Sequence, residues 1–357
     1  MPQLARTPHR PSRRPDIHPF RRLRAGPPLR ALAATLALAV ALAACTSTGG
    51  TATTPAAAPA ATSAATPTGS ASACDSGVFP GWPQPGQVTT SGVIPYLVSS
   101  EKLVGQSRLL FVLIDQQNRP IADETLQVEI GFFDLCADPA TATEVVTPSF
   151  AWGIVGQRAF YVATPDLTQP GPWGAAFTVH DTASGATTGG KLQFTVSEGG
   201  FGPRVGDAAP AVKTPTLADV GGDVRRISTD PTPEPTFFET SLDAALAAKK
   251  PVLIVFATPG FCKSAQCGPT LDTVKAAVKA APIQVVAVEP YQLVYQDGRL
   301  QPVYQNGDFV PVEATNVYGI PTEPWIFLVD AKGTIAGSFE AVVGQQELTD
   351  AIRAVTQ

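Results

Sequence analysis

The apolar residues of this chain keep two different rhythms, and the change between them limits most severely how it can fold. Between about residues 90 and 197 they come in short runs parted by Pro and Gly turns, with no helical period. Residues 109–114 (Leu-Leu-Phe-Val-Leu-Ile) read as a strand, followed by a turn at 115–120. Residues 126–132 alternate apolar and polar, as a half-buried strand does. Residues 159–163, 173–179 and 192–196 complete the set. This pattern predicts a β-sandwich over residues 74–198. From residue 236 the rhythm changes to alternating helix and strand. A short helix around Leu242 and Leu246, with Thr240 or Ser241 as its cap, stops at Pro251. The continuous apolar run 252–256 then predicts a central strand. Leu271, Val274 and Val278 mark one face of a helix. Strands follow at 283–288, 325–329 and 334–339, and a last helix at 347–355. The expectation is a multidomain chain: an N-terminal β-sandwich, an extended and fairly stiff Pro/Gly-rich linker at 199–235, and a C-terminal α/β domain at 236–357.

The N-terminus carries an address. Residues 1–44 hold eight arginines, no lysine and one acid, Asp16, and residues 31–44 are almost purely Ala, Leu and Val. A positive flank before so short an apolar run reads as a signal peptide, not a membrane span. The run ends in Leu42-Ala43-Ala44-Cys45, which resembles a bacterial lipobox. That resemblance implies an acylated Cys45 as the first mature residue and a chain lipid-anchored at the outer face of the bacterial cell membrane. Each buried CH₂ of an acyl chain contributes about 0.8 kcal/mol, so several chains anchor firmly. The Arg13-Arg14 and Arg21-Arg22 pairs lack a twin-arginine motif around them. Residues 46–73 contain no charged side chain and are Thr, Ser, Ala, Pro and Gly throughout. Such a stretch cannot bury a core, so residues 45–73 are expected to be a lipidated, disordered tether. Loss of residues 1–44 leaves 17 basic and 29 acidic residues, a formal net charge of −12. That balance excludes a nucleic-acid partner, which needs a basic footprint.

Chemistry concentrates at Phe261-Cys262-Lys263-Ser264-Ala265-Gln266-Cys267-Gly268-Pro269. Cys262 follows the predicted central strand and precedes a helix expected to start near Pro269, where proline suits the first turn. Unpaired N–H groups and the helix dipole at such a junction stabilise a thiolate, and Lys263 adds positive charge. Cys267 is within reach of Cys262 if the loop between them is irregular. Cys74 and Cys136 are a candidate structural disulfide, since exported chains seldom leave cysteines free. His180 is the one histidine after residue 44 and sits at a strand end, which suits a surface role. Trp152, Tyr161 and Trp173 suit the core or a sheet face better than a ligand platform.

At these residues the chain resembles the thioredoxin-like superfamily over about residues 236–357. Phe261 takes the place of the usual tryptophan, Cys262 matches the nucleophile, Cys267 the resolving cysteine, and Gly268-Pro269 the lead into the helix. Four residues separate the cysteines where the common motif has two. A second mark is Tyr318-Gly319-Ile320-Pro321-Thr322-Glu323-Pro324. The resemblance implies a cis-proline beside the nucleophile, at Pro324 or, as runner-up, Pro321, ahead of an edge strand. It implies thiol–disulfide exchange with thiols and disulfides of exported proteins, a membrane redox partner, and no cofactor. No acid lies in 252–256 to relay a proton; Glu323 and Glu289 are the acids left to consider. The N-terminal strand order resembles immunoglobulin-like domains of exported bacterial proteins at the level of architecture.

Other readings stand beside this one. Cys262 and Cys267 would equally form a structural disulfide in a non-catalytic surface scaffold. Thr258-Pro259-Gly260 before a cysteine also resembles some peroxiredoxins, but Phe261 intervenes. A metal site is not expected, because residues 236–357 contain no histidine and two cysteines alone hold a metal weakly.

Overall fold

The computed structural model describes residues 73–357. The export segment, Cys45 and the tether to residue 72 lie outside the described residues. The described residues form one compact unit, and strands outnumber helices throughout.

After a short helix α1 (Ala73–Ser76), the first half consists of strands. These are β1 (Val88–Thr90), β2 (Ile94–Leu97), β3 (Gly105–Gln106), β4 (Leu109–Ile114), β5 (Gln127–Asp134), β6 (Glu144–Val146), β7 (Ser149–Ile154), β8 (Arg158–Ala163), β9 (Asp166–Leu167), β10 (Gly171–His180) and β11 (Thr187–Val196). Two sheets carry the half, ordered β1-β11-β10-β5-β6 and β2-β4-β8-β7. Their pairings are antiparallel throughout. One apolar core joins them: Leu109, Phe111 and Leu113 of β4 meet Ile130, Phe132, Trp173, Phe177 and Phe194. The alternation in β5 places Val128, Ile130 and Phe132 inside and leaves Gln127 and Glu129 outside. Trp173 and Tyr161 are core residues, while Trp152 is half-buried. Cys74 and Cys136 are disulfide-bonded, next to a small cluster of Phe79, Trp82 and Leu135.

The second half has helices α2 (Leu242–Ala247), α3 (Cys267–Ala280), α4 (Glu313–Val317) and α5 (Gln345–Thr356). Its strands are β12 (Val252–Phe256), β13 (Gln284–Val288), β14 (Leu293–Gln296), β15 (Arg299–Pro302), β16 (Tyr304–Gln305), β17 (Asp308–Phe309), β18 (Trp325–Val329) and β19 (Ile335–Glu340). The main sheet is ordered β13-β12-β18-β19. β12 runs parallel to β13 and antiparallel to β18. The strand ahead of which Pro324 lies is therefore interior, not the expected edge. Its five residues are all buried, and β12 and β19 pair with its two edges.

Both faces of this sheet are covered. Leu253, Val255, Ile326 and Leu328 pack under α3 and α5 through Leu271, Val274, Leu348 and Ile352. Val252, Ile254, Phe256 and Phe327 pack on the other side against Leu242, Ala245, Ala314 and Tyr318. Ser241 holds the N-cap position of α2, but its hydroxyl donates to the Asp243 carboxylate instead of accepting a helix N–H. Two small hairpins, β14–β15 and β16–β17, fill residues 293–309, a stretch the sequence left without elements.

Residues 199–235 do not form a free-standing linker. Val212 is buried in the second half, and Leu217, Val224 and Ile227 pack against its other core. Tyr318 O–H donates to Pro210 O (2.9 Å). Gly202 and Gly319 bring two backbones together: a Cβ on Gly202 would lie 1.9 Å from Tyr318 O, which only glycine permits. Sparse apolar residues in a Pro/Gly-rich segment suffice to hold it down once a sheet offers them a surface.

The two halves share a further core. Leu110, Ala151, Phe160 and Val162, on the outer face of the β4–β8–β7 sheet, pack with Val342. Polar contacts frame it. Arg108 forks onto Glu347 (2.8 and 3.0 Å) and donates to Val342 O (2.7 Å). Glu340 accepts from Ser100 N–H (2.9 Å), from the Ser100 hydroxyl and from Thr322 Oγ1 (3.0 Å). Burial pushes the Glu340 carboxyl above its ordinary range, and those donors oppose the shift.

Candidate functional site

Strand register assembles the site. Phe256 ends β12, opposite Trp325 of β18 and opposite Val288 of β13. The loop 257–266 therefore leaves the sheet between Glu289, the residue after β13, and Glu323-Pro324, the residues before β18. The Glu323–Pro324 peptide is cis; Pro321 is not the residue so placed. The two acids that sequence could not place thus flank the cysteine loop, one from each neighbouring strand.

Cys262 and Cys267 are disulfide-bonded. The two sulfurs differ in exposure. Cys267 is fully buried and belongs to the core under α3, whereas Cys262 is partly exposed. Helix α3 starts at Cys267, two residues earlier than expected from Pro269. Pro269 still falls in the first turn, where its missing N–H costs no helical hydrogen bond. The backbone N–H of Cys267 donates to Cys262 Sγ (3.2 Å). The sulfur of Cys262 thus occupies the position of an acceptor for an otherwise unpaired amide at a 14-residue helix start.

Ser264 knots the spacer. Its hydroxyl donates to Glu323 O (3.0 Å), lies 3.3 Å from Cys262 Sγ, and accepts the Gln266 N–H (3.3 Å). Glu323 is 7% exposed, and its carboxyl is taken at both ends. Oε1 accepts the Lys263 N–H (3.3 Å) and Oε2 accepts the Tyr291 hydroxyl (2.7 Å). Burial and the neighbouring Glu323 carboxyl push the Tyr291 hydroxyl well above the ordinary tyrosine range.

Glu289 stands behind the loop. Its Oε1 accepts both Thr229 N–H (2.5 Å) and Thr229 Oγ1 (2.7 Å). Thr229 Oγ1 in turn accepts the Gly260 N–H (3.0 Å), so Glu289 is tied to the loop through one hydroxyl. Glu289 keeps some surface, but its Oε2 is sealed and unpartnered among the described residues, as is the nearby Thr258 hydroxyl. Burial pushes the Glu289 carboxyl up to about 7, against the Thr229 hydrogen bonds that favour its charged form. Next to it Lys275 pairs with Asp230 (2.7 Å), with only 18% and 8% of the side chains exposed.

The small hairpins supply aromatic surroundings. Phe309 is 6.0 Å from Phe261 and 4.8 Å from Tyr291, centroid to centroid, and Lys263 Nζ lies 5.4 Å over its ring. Tyr304, 5.2 Å from Phe309, is 61% exposed. Sequence reasoning named Phe261, Cys262, Lys263, Cys267, Pro269, Glu323 and Pro324, and the structure gathers these in one neighbourhood. It missed Ser264, Thr229, Tyr291 and Phe309. The Thr and Ser carry no signal in an isolated sequence, and the aromatic pair lies in the stretch where no element was read. His180 stands apart, its Nδ1 3.2 Å from Thr187 Oγ1. Among the described residues no cluster of His, Cys, Asp and Glu is arranged for a metal, and no helix is long and apolar enough to cross a membrane.

No family model matches the chain, and no curated protein matches it. Among solved structures, an engineered protein overlaps 30% of this chain, which spans 20% of that protein, at 11% identity and a TM-score of 0.19. The soluble domain of PmoD from Methylocystis sp. ATCC 49242 (Rockwell) overlaps 29% of this chain and 90% of its own length, at 10% identity and a TM-score of 0.19. Likenesses this faint carry no argument about fold or function.

Proposed function

We propose that this chain is an extracytoplasmic, lipid-anchored thiol–disulfide oxidoreductase that works through Cys262 and Cys267 on exported proteins. In this reading residues 236–357 are a thioredoxin-like domain and residues 74–198 an immunoglobulin-like β-sandwich. The β13-β12-β18-β19 order with helices on both faces supports the first, and two antiparallel sheets around one core support the second. The anchor rests on the Leu42-Ala43-Ala44-Cys45 sequence.

The observation that carries the reading is the asymmetry of the pair: a partly exposed sulfur that accepts a helix-start N–H, bonded to a sulfur that is fully buried. Exchange needs one sulfur a partner can reach and one it cannot. In the reducing direction the Cys262 thiolate attacks one sulfur of a substrate disulfide. That S–S bond breaks, one substrate thiolate leaves, and a mixed disulfide forms. Cys267 then loses its proton and attacks Cys262 Sγ, releasing the second substrate thiol. Two electrons pass from the enzyme dithiol to the substrate, and the oxidising direction is the reverse. Lys263 and the N–H of Cys267 stabilise the Cys262 thiolate, and Ser264 and Glu323 orient the loop. The test is a disulfide-exchange assay on the full chain, with mixed-disulfide trapping in Cys267→Ser. Wild-type rates in Cys262→Ser would sink the proposal.

A second reading has its own support. The spacer is pinned from several sides and Cys267 is sealed in the core, as a structural bridge in a non-catalytic scaffold would be. A reduction potential well below about −300 mV would favour it.

A further inference from the structure

The four-residue spacer is not a relaxed turn. Ala265 has φ +59°, a left-handed conformation that its Cβ disfavours. Such a residue persists where its surroundings over-determine it. Within the second half, Ser264 is held through its hydroxyl. Its carbonyl is held from the first half. Arg158, which opens β8, sends Nη1 to Ser264 O (2.9 Å). With the buried Gln266 amide turned to satisfy both its ends, Arg158 Nη1 also reaches the Gln266 side-chain oxygen (2.9 Å), and the amide nitrogen donates to Gly153 O (3.2 Å). Gly153 is shaped for this. A Cβ there would lie 2.4 Å from Phe160 and 2.7 Å from the Gln266 side chain. The β7–β8 hairpin thus touches two of the four spacer residues by hydrogen bonds, on either side of the left-handed Ala265.

We propose that Arg158 is a positioning residue for the Cys262–Cys267 pair: the β7–β8 hairpin holds the spacer in its closing shape and so shifts the pair's dithiol–disulfide equilibrium toward the disulfide. Closing the bond requires both cysteines to be brought together by an ordered spacer, and ordering backbone costs conformational entropy. A spacer ordered by the hairpin in the dithiol form has already lost that freedom, so closure costs less. The guanidinium–carbonyl bond is charge-assisted and therefore among the stronger contacts available for this. The functional meaning of the shift rests on the exchange reading above; the shift itself does not.

The experiment equilibrates the full chain in graded oxidised and reduced dithiothreitol, a two-electron couple whose dithiol is oxidised as the protein disulfide is reduced. Alkylation and peptide mass analysis then read each disulfide separately. The chain contains its own control, because Cys74–Cys136 lies in the other half. In Arg158→Ala the constant for the Cys262–Cys267 disulfide is expected to fall about tenfold, which corresponds to roughly 30 mV. Arg158→Lys, which keeps a cationic donor, is expected to recover part of the shift, and Cys74–Cys136 to stay where it is. Equal constants for wild type and Arg158→Ala overturn the proposal. So does a parallel shift of both disulfides, which would report general loosening. Gly153→Ala provides a second route to the same spacer, and an unchanged constant there also counts against it. Absence of catalytic exchange would remove the exchange reading and leave these constants readable.

Discussion

The two disulfides of this chain are opposites. Cys74–Cys136 bridges 62 positions beside a small aromatic cluster, with the Cys136 N–H held by the buried Asp134 carboxylate (3.0 Å). Cys262–Cys267 bridges five positions, and its neighbours are a helix-start amide, a serine hydroxyl and a backbone held by a buried carboxyl. Chain-entropy arguments give the long loop about 4 kcal/mol of stabilisation and the short one about 2 kcal/mol. The bond that contributes less to folding is the one surrounded by polar chemistry. A polar setting around the disulfide that stabilises less is what the exchange proposal draws on.

Mutation can break that contrast. The largest expected effect is on exchange: Cys262→Ser should lower the rate by at least about a hundredfold, as loss of a covalent nucleophile does, whereas a Cys74→Ser/Cys136→Ser double variant should exchange at the wild-type rate. Equal loss in both would erase the distinction. The next effect is on stability. The double variant should lose about 4 kcal/mol in denaturant unfolding under oxidising conditions, and Cys262→Ser/Cys267→Ser about half that.

Lys275→Met should follow, at about 3 kcal/mol, because it strands the nearly buried Asp230 without its partner. A value near zero in chemical denaturation would show that Asp230 finds water. Glu289 sharpens the comparison through pH. Its folded pKa, about 7, stands above the ordinary carboxylate value, so the protonated form is favoured by folding. Its contribution is fully present below about pH 4.5 and is lost as pH rises through about 7, a change of about 3 kcal/mol. Glu289→Gln should flatten that slope, measured as the urea midpoint between pH 5 and pH 8; an unchanged slope would place its origin elsewhere. The smallest effect is that of Tyr291→Phe. It removes the donor to Glu323 Oε2 and should cost about 1–2 kcal/mol. A thermal midpoint equal to that of wild type would mean that Glu323 finds another donor.

What sequence reading reached depended on periodicity. The run at Leu109–Ile114 and those at Val252–Phe256 and Trp325–Val329 were legible to the residue, because continuous apolar runs bounded by turn formers have few alternatives. The interior place of Trp325–Val329 was not legible, since a run of this kind does not say which neighbours it will have. Residues 293–309 escaped because their strands are two to four residues long, rich in Gln and Tyr, and parted by the turns Asp297-Gly298 and Asn306-Gly307. In the site, the cysteines and Pro324 were readable from local motif, whereas Glu323 was one of two acids that sequence could not place. Arg158 was not readable: it meets Ser264 across 106 positions, a contact that exists only once both halves are packed.

Ala265 carries a lesson for engineering. The spacer turns through a left-handed residue and rests on a hairpin more than a hundred positions away in sequence. Loop and hairpin are therefore a matched set, and neither is a portable cassette. Grafting the cysteine segment onto another scaffold would leave behind the guanidinium that meets its carbonyl. Trimming two spacer residues in place would take away either the turn or its grip. A successful transplant would have to carry Gly153 and Arg158 along with it.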